Sequence, residues 1–454
     1  MEKTSSAAAG YRTLKKILNI NFFQENHKMT IYEELKRRGF IYQETDSAAI
    51  EKKLTTEQVT FYCGFDPTGS SLHVGHLLPV MAMRLLQKAG HIPIALVGGA
   101  TGMIGDPSGR SSARVMMTLE EIAANAESLK KQLAYFITLE NGKAHFVNNA
   151  DWLTKMSMIE FLRDVGSRFS VNRMLAQKSV ESRLENGLSY LEFSYSLLQA
   201  YDFYHLNKTL NCTLEIGGQD QWGNMAAGTE FIRRSYQDET KDVHFMTIPL
   251  LMNPATGQKF GKSVGGASVW LDTTRTSPFE YYQFWRNCDD SMLPDLLKRF
   301  AIELPVEECE ALAECGNVNR AKEILACEAT ALAHGEKTAR EVFAAAGTRF
   351  GFADPEGKIP TTSKAAAPVS AEVELPVTEI DAAEFGENGI TVPRLLVLTG
   401  ICKSTSDGRR LIQGGAVSID DVKVTDPNYA VKADQLPLTL KSGKKNFRRL
   451  AVKG

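Results

Sequence analysis

The stretch Val59-Thr60-Phe61-Tyr62-Cys63-Gly64-Phe65-Asp66-Pro67-Thr68-Gly69, followed after three residues by His73-Val74-Gly75-His76, decides the fold. Its first half is a short β-rich apolar run that stops at Gly64, the pattern of a strand with a glycine-rich exit. A proline fits a helix only in its first turn, so Pro79 predicts a helix beginning near Val74 or Gly75. The unit recurs downstream. Ile92 to Val97 runs into Gly98-Gly99-Ala100-Thr101-Gly102, and His145-Phe146-Val147 and His244 to Ile248 are runs of the same kind. Between them, Leu119 to Phe136 and Trp222 to Arg234 have helical spacing. From Val59 to about Pro249 this alternation predicts a parallel sheet with helices on both faces. Such sheets bind ligands outside the carboxyl ends of their strands.

At 454 residues the chain has room for two or three domains and a large core. Its seven cysteines are dispersed, with no CxxC and no metal-ligand spacing, so they read as reduced cytoplasmic thiols and not as a disulfide or metal framework. The longest apolar candidate, Ile92 to Gly105, is broken by four glycines and Thr101, which excludes a membrane span. Residues 1–28 are rich in Ser, Ala and Lys without the apolar core of a secretory signal, and are expected to be an extension with no catalytic role. Residues 29–275 hold the strand–helix alternation and 276–350 turn helical. Residues 351–390, with eight acidic and two basic side chains, are expected to be a linker. Residues 391–454 carry twelve basic against five acidic side chains. Pro393 to Leu398, Leu411 to Gly415 and Ala416 to Ile419 give this tail element signals, so it is expected to be a small folded basic module.

The motifs carry the chemistry. Residues three apart on a helix share a face, so His73 and His76 can reach one ligand at a helix N-terminus, where backbone N–H groups and the dipole favour an anion. Gly75 between them leaves room for a flat base against the backbone. An isolated HxxH is usually two ordinary histidines. What changes the reading is Lys259-Phe260-Gly261-Lys262-Ser263, which puts two ammonium groups and a hydroxyl on a short loop. Gly257 to Ser263 is one residue short of the phosphate-binding loop and follows a turn-rich stretch, so it suits a mobile clamp over leaving pyrophosphate. The two motifs together point to adenylyl transfer. Three further segments concentrate polar groups: Gly102 to Arg110 around Asp106, Gly217 to Asn224, and Tyr195, Gln199 and Asp202 at i, i+4 and i+7 of one helical face. Such a face among Leu and Phe either binds a polar ligand or forms a hydrogen-bonded structural network.

Taken in order, Tyr62 to Thr68, the HVGH motif, Gly105-Asp106-Pro107-Ser108-Gly109, Gln199 to Phe203, Gly218 to Asn224 and the KFGKS loop resemble the bacterial tyrosyl-tRNA synthetases, which are class I enzymes. The likeness runs from about Thr30 to Gly454. It implies an α/β fold: a Rossmann-like nucleotide-binding catalytic domain, a helical anticodon-side domain, and a C-terminal alpha-L RNA-binding domain. By the same resemblance Tyr62 and Asp202 would bond the phenolic hydroxyl of tyrosine. Asp106, Tyr195 and Gln199 would hold its ammonium, and Gln221 would lie near its carboxylate. Gly64, Asp66, Gly75, Gly218 and Asp220 would line the adenosine side. Thr68, His73, His76, Lys259, Lys262 and Ser263 would stabilise the triphosphate. The family often carries Lys where this chain has Arg110.

The resemblance further implies ATP as a substrate with Mg²⁺ accompanying it, no protein-bound metal, and no editing domain. Lys441, Lys444, Lys445, Arg448 and Arg449 would contact tRNA(Tyr) phosphates, and the enzyme would be a homodimer in the cytoplasm with one tRNA lying across both subunits. Three rivals stand beside it. A nucleotidyltransferase of the same superfamily would leave the basic tail and the Tyr62–Asp202 pair unexplained. A non-catalytic RNA-binding relative would not need both motifs. A tryptophan-specific relative would not need a phenol-directed Tyr and Asp.

Overall fold

The computed structural model describes residues 29–106, 117–139, 142–177, 180, 181, 184, 187–252, 268–367, 377–386, 389–402, 404–420, 422–442 and 446–453. The first described element is a helix at Ile31–Arg38, entered through a Thr30–Glu33 capping box. The sheet that follows contains β1 (Gln43–Glu44), β2 (Thr60–Phe65), β3 (Ile92–Val97), β4 (His145–Asn148), β5 (Cys212–Gly218) and β6 (His244–Ile248). Their spatial order is β1-β6-β5-β2-β3-β4, with β2 to β6 parallel and β1 antiparallel at the edge. The chain steps outward from β2 to β4, then returns to lay β5 on the other side of β2. That reversal separates the loops leaving β2 and β5 and opens a crevice above their carboxyl ends. The helices that cover the sheet include α1 (Val74–Lys88), α2 (Leu119–Leu133), α3 (Tyr195–Leu210) and α4 (Trp222–Tyr236).

Helix α1 begins at Val74, where the spacing placed it. Pro79, however, lies inside the helix. It removes the bond that its N–H would have made to the Gly75 carbonyl, a loss tolerated because most of the helix is buried against the sheet. The entry is over-determined: His73 caps Gly75, and Val269 and Leu271 pair with Val74 and Leu72.

Beyond the sheet come α5 (Pro278–Arg286), α6 (Leu293–Phe300), α7 (Val306–Ala313), α8 (Val318–His334) and α9 (Glu336–Phe350). The expected division near residue 275 does not divide the core. Phe61, Leu72 and Val74 belong to the same buried cluster as Trp285, Leu296, Phe300 and Leu325. Arg38, 1% exposed, ties the first helix to this layer by donating to the carbonyls of Lys298 and Leu304. Six of the seven cysteines are buried and all are free thiols; only Cys402 is partly exposed.

The acidic stretch 351–390, expected to be a linker, is packed at both of its described ends. Glu308 on α7, fully buried, accepts from the Thr361 hydroxyl, the Thr362 amide at 2.8 Å and the Thr362 hydroxyl at 2.6 Å. Arg320 donates to the Ala366 carbonyl at 2.7 Å, and Ser363 donates to Glu328. Composition missed this because the acids that anchor the segment lie on α7 and α8. At its other end β7 (Val377–Ile380) runs parallel to β13 (Asn446–Val452) and so joins the C-terminal module. That module also contains β8 (Ile390–Thr391), α10 (Val392–Leu398), α11 (Thr405–Gln413), β9 (Val417–Ile419), β10 (Val422–Lys423), β11 (Ala430–Val431) and β12 (Leu438–Ser442). It has its own apolar core, built from residues such as Val392, Leu395, Ile412, Val417, Leu440 and Leu450.

Glu308→Ala removes three charge-assisted bonds at once. It should lower stability by about 2–4 kcal/mol and release residues 361–366, seen in hydrogen exchange as loss of protection at Thr362.

Candidate active site

The site grows from the alternation of β2. Phe61, Cys63 and Phe65 face the main core, while Tyr62 rises from the opposite face beneath α3, its ring 5.4 Å from that of Phe203. Tyr62 is flanked in register by Glu215 of β5. Asp202 descends from α3 and is 2% exposed. Its two oxygens accept from Asn149 Nδ2 at 2.9 Å and Trp152 Nε1 at 2.7 Å. Burial pushes Asp202 up to about 8, opposed by those two donors.

Asn149 passes the network onward. Its Nδ2 also donates to Thr101 Oγ1 at 3.0 Å, and Thr101 donates to Asp66 Oδ1 at 2.8 Å. Tyr195 donates to Asp66 Oδ2 at 3.1 Å, so Tyr195, assigned to the amino acid, and Asp66, assigned to the nucleotide, meet across the crevice. Gly98 makes this possible: a Cβ there would lie 2.1 Å from Asp66 Oδ1 and 2.2 Å from Thr101 Oγ1. On the far wall Gln221 Nε2 donates to Asp106 Oδ2 at 2.6 Å, and Asn224 donates to Gln221 Oε1 at 3.0 Å. Gln199 Nε2 donates to Glu215 Oε1 at 2.9 Å. Sequence reading missed Thr101, Asn149, Trp152 and Glu215. Asn149 and Trp152 follow the β4 run directly, a strand exit like the others, and that position was the available signal.

At the mouth stand Gly64, Thr68 and Gly75, all exposed, and the two histidines. The imidazoles of His73 and His76 stack at 3.8 Å with 25° between their planes. His73 Nδ1 accepts from the Gly75 N–H at 3.0 Å, and His76 Nδ1 accepts from the His73 N–H at 3.1 Å. An accepting Nδ1 leaves the proton of a neutral ring on Nε2, so both rings present Nε2–H donors beside the start of α1. Burial lowers both pKa values, His76 to about 3 with the His73 charge adding to the effect. Trp270 meets the His73 ring edge-on at 5.7 Å, and the Arg275 guanidinium covers Trp270 at 3.4 Å. The segment after the second motif therefore returns beside the first.

Lys259, Lys262, Ser263 and Arg110 lie outside the described residues, as do Lys444 and Lys445. Gly218 and Asp220 lie at the end of β5 and in the turn that follows it. Lys441 and Arg448 lie on the β12–β13 hairpin, where Arg449 pairs with Thr439 through the backbone. A cavity of about 670 Å³ opens on the far side of Gln219 and Asp220, lined by Arg173, Trp222, Glu230 and Arg234. It contains none of Tyr62, Asp202 or the histidines, so it adjoins the crevice without being the site. Among the described residues no group of three or more His, Cys, Asp or Glu could hold a metal ion, and no helix is long and apolar enough to cross a membrane.

Because its folded pKa is depressed, neutral His76 contributes stability that is complete above about pH 6.5 and is lost as pH falls toward about 3. Urea melts of wild type and His76→Asn should therefore differ between pH 7.5 and pH 5. The wild type should lose about 1–2 kcal/mol more than the variant.

Comparison with known proteins agrees with this geometry. Residues 53–351 match the family model for class I tRNA synthetases (W and Y), and residues 372–450 match the C-terminal domain model of tyrosine–tRNA ligases. The tyrosine–tRNA ligase of Clostridium beijerinckii is 44% identical over 93% of this chain and 99% of its own. That of Fusobacterium nucleatum is also 44% identical, over 94% and 100%. Among solved structures, a C-terminally truncated mitochondrial tyrosyl-tRNA synthetase of Aspergillus nidulans superposes with a TM-score of 0.63 at 28% identity, covering 76% of this chain and 100% of that one. The chain belongs to the tyrosine–tRNA ligase family of class I aminoacyl-tRNA synthetases.

Proposed function

We propose that this chain activates L-tyrosine with MgATP, forming tyrosyl-adenylate and pyrophosphate, and then transfers tyrosine to the 3′-terminal ribose of tRNA(Tyr). The observation that carries the reading is the arrangement along one crevice. A polar end made by Tyr62 and Asp202 lies deep, and two neutral Nε2–H donors lie at the mouth beside a helix N-terminus.

At the deep end the phenolic hydroxyl of tyrosine meets the Tyr62 hydroxyl, which is buried without a hydrogen-bond partner among the described residues, and the Asp202 carboxylate. Phenylalanine would leave the buried Tyr62 hydroxyl unpaired and Asp202 with only its Asn149 and Trp152 donors, and a site built to bond a hydroxyl rejects the analogue that lacks it. Asp106, Tyr195 and Gln199 receive the ammonium and Gln221 lies near the carboxylate. That carboxylate is already ionised and attacks the α-phosphorus in line, so no general base is needed. Acceleration comes from positioning and from donors aimed at the leaving pyrophosphate. His73 and His76 supply two of these donors, preorganised by their backbone bonds. Lys259, Lys262 and Ser263 complete the grip from the other side, with Thr68 at the mouth. Gly64, Asp66, Gly75, Gly218 and Asp220 line the adenosine.

The C-terminal module brings Lys441, Lys444, Lys445, Arg448 and Arg449 to the tRNA backbone. Exposed apolar side chains, among them Met158 at 72%, Ile159 at 68% and Tyr190 at 74%, are candidates for the interface of a homodimer. The dispersed free thiols support a cytoplasmic reaction.

ATP–pyrophosphate exchange measured with each of the twenty amino acids and no tRNA should proceed with tyrosine alone. Exchange with a different amino acid would overturn the pocket assignment. His76→Asn should lower kcat by about 10²-fold while leaving KM for tyrosine nearly unchanged. Met158→Glu with Ile159→Glu should convert the protein to a monomer in light scattering.

A further inference from the structure

Glu215 is a carboxylate that the proposed reaction has not yet used. It lies in the middle of β5, opposite Tyr62 in the parallel register, and is 2% exposed. Oε1 accepts from Gln199 Nε2 at 2.9 Å. Oε2 is sealed from solvent without a hydrogen bond, and so is the hydroxyl of its neighbour Tyr62. The helix above packs against it, since a Cβ on Gly228 of α4 would lie in van der Waals contact with Oε2 at 3.5 Å. A buried carboxylate with an unsatisfied oxygen is costly in a purely structural role, where an apolar side chain of similar volume would serve at least as well.

Its position supplies a reason to keep it. An ionised carboxylate only accepts, so it obliges Gln199 to turn its amide nitrogen inward and its carbonyl oxygen toward the crevice. An α-ammonium only donates. The amide is thus held in the one orientation that an ammonium can use. A protonated Glu215 could donate to Gln199 instead and turn N–H donors toward the ligand.

Resting on the tyrosine-pocket reading above, we propose that Glu215 is a positioning residue for the amino-acid substrate: its carboxylate fixes the amide of Gln199 as an acceptor for the α-ammonium and flanks Tyr62 at the phenol end. The groups that face Glu215 are Tyr62 from β2, Asp202 and Gln199 from α3, and Cys212 from its own strand, and Cys63 of β2 lies within its electrostatic reach. Burial lifts Glu215 to about 7, opposed by its polar neighbours Tyr62 and Gln199. The acceptor state is therefore gained across the neutral range as pH rises.

The experiment is tyrosine-dependent ATP–pyrophosphate exchange with wild type, Glu215→Leu and Glu215→Gln from pH 6 to pH 8.5. Wild-type KM for tyrosine should fall as pH rises, with KM for ATP flat. Glu215→Leu should raise KM for tyrosine by about tenfold or more and change KM for ATP less than about twofold. Glu215→Gln, which can still accept from Gln199, should return to within about threefold of wild type at pH 8 and keep only the acid limb of Asp202 near 8. An unchanged KM for tyrosine in Glu215→Leu would overturn the proposal, as would parallel increases in both KM values or an acid limb in Glu215→Gln identical to that of wild type. If Glu215→Leu does not fold, the Glu215→Gln profile decides alone. Absence of tyrosine exchange in the wild type would instead refute the pocket reading itself, so the two failures are distinct.

Discussion

The hydroxyl of Thr101 donates to Asp66 and accepts from Asn149, and the site depends on that pair of bonds. Asp66 leaves β2, Thr101 follows β3 and Asn149 follows β4, so one buried hydroxyl locks three strand exits into register. Asp202 and Tyr195 of α3 join the same chain of bonds and fix the helix that roofs the pocket. A low-dielectric network of this kind is worth most when every member is paired, and a single gap in it costs more than any one bond contributes. The sheet supplies the crevice; this network supplies the shape of its floor.

The parallel sheet and the start of α1 were legible in the sequence because each rests on local pattern, whereas the assignment of the pocket residues came from the family resemblance. Short apolar runs ending in glycine mark strands wherever they fall, and HVGH marks a helix N-terminus whatever packs against it. In the C-terminal module, Val392–Leu398, Thr405–Gln413 and Val417–Ile419 lie where the amphipathic, glycine-stop and β signals put them. What escaped was set by partners distant in the chain. The segment from Thr361 to Ala366 looks like a linker until Glu308, Arg320 and Glu328 are placed beneath it. Asn149, Trp152 and Glu215 lie in or beside strands, and their positions gain their meaning only once α3 is folded over them. Pro79 shows the reverse limit, since a rule about first turns gave the correct start for α1 although the proline sits deeper in the helix.

Two electrostatic regimes occupy the two ends of the crevice. Inside, acids cluster and burial raises Asp202 and Glu215 toward neutrality, which suits a ligand that brings an ammonium and a phenol. At the mouth the same burial lowers the histidines, so in the proposed reaction they would face the triphosphate as dipoles held by the backbone and not as cations. A neutral donor stabilises the charge that develops on a leaving group without binding product as tightly as a full charge would, which favours release of pyrophosphate.

The burial of six thiols has a use of its own. A thiol reacts as its thiolate, and burial pushes Cys288 up to about 11 and Cys309 up to about 12, with Cys63, Cys212 and Cys327 also raised. In the folded protein an alkylating reagent reaches Cys402 first and must wait for the others to be exposed. Cys63 and Cys212 lie in the sheet, whereas Cys309 and Cys327 lie on α7 and α8. The chain thus carries a set of natural clocks, whose separate labelling rates time the opening of each layer without any introduced probe.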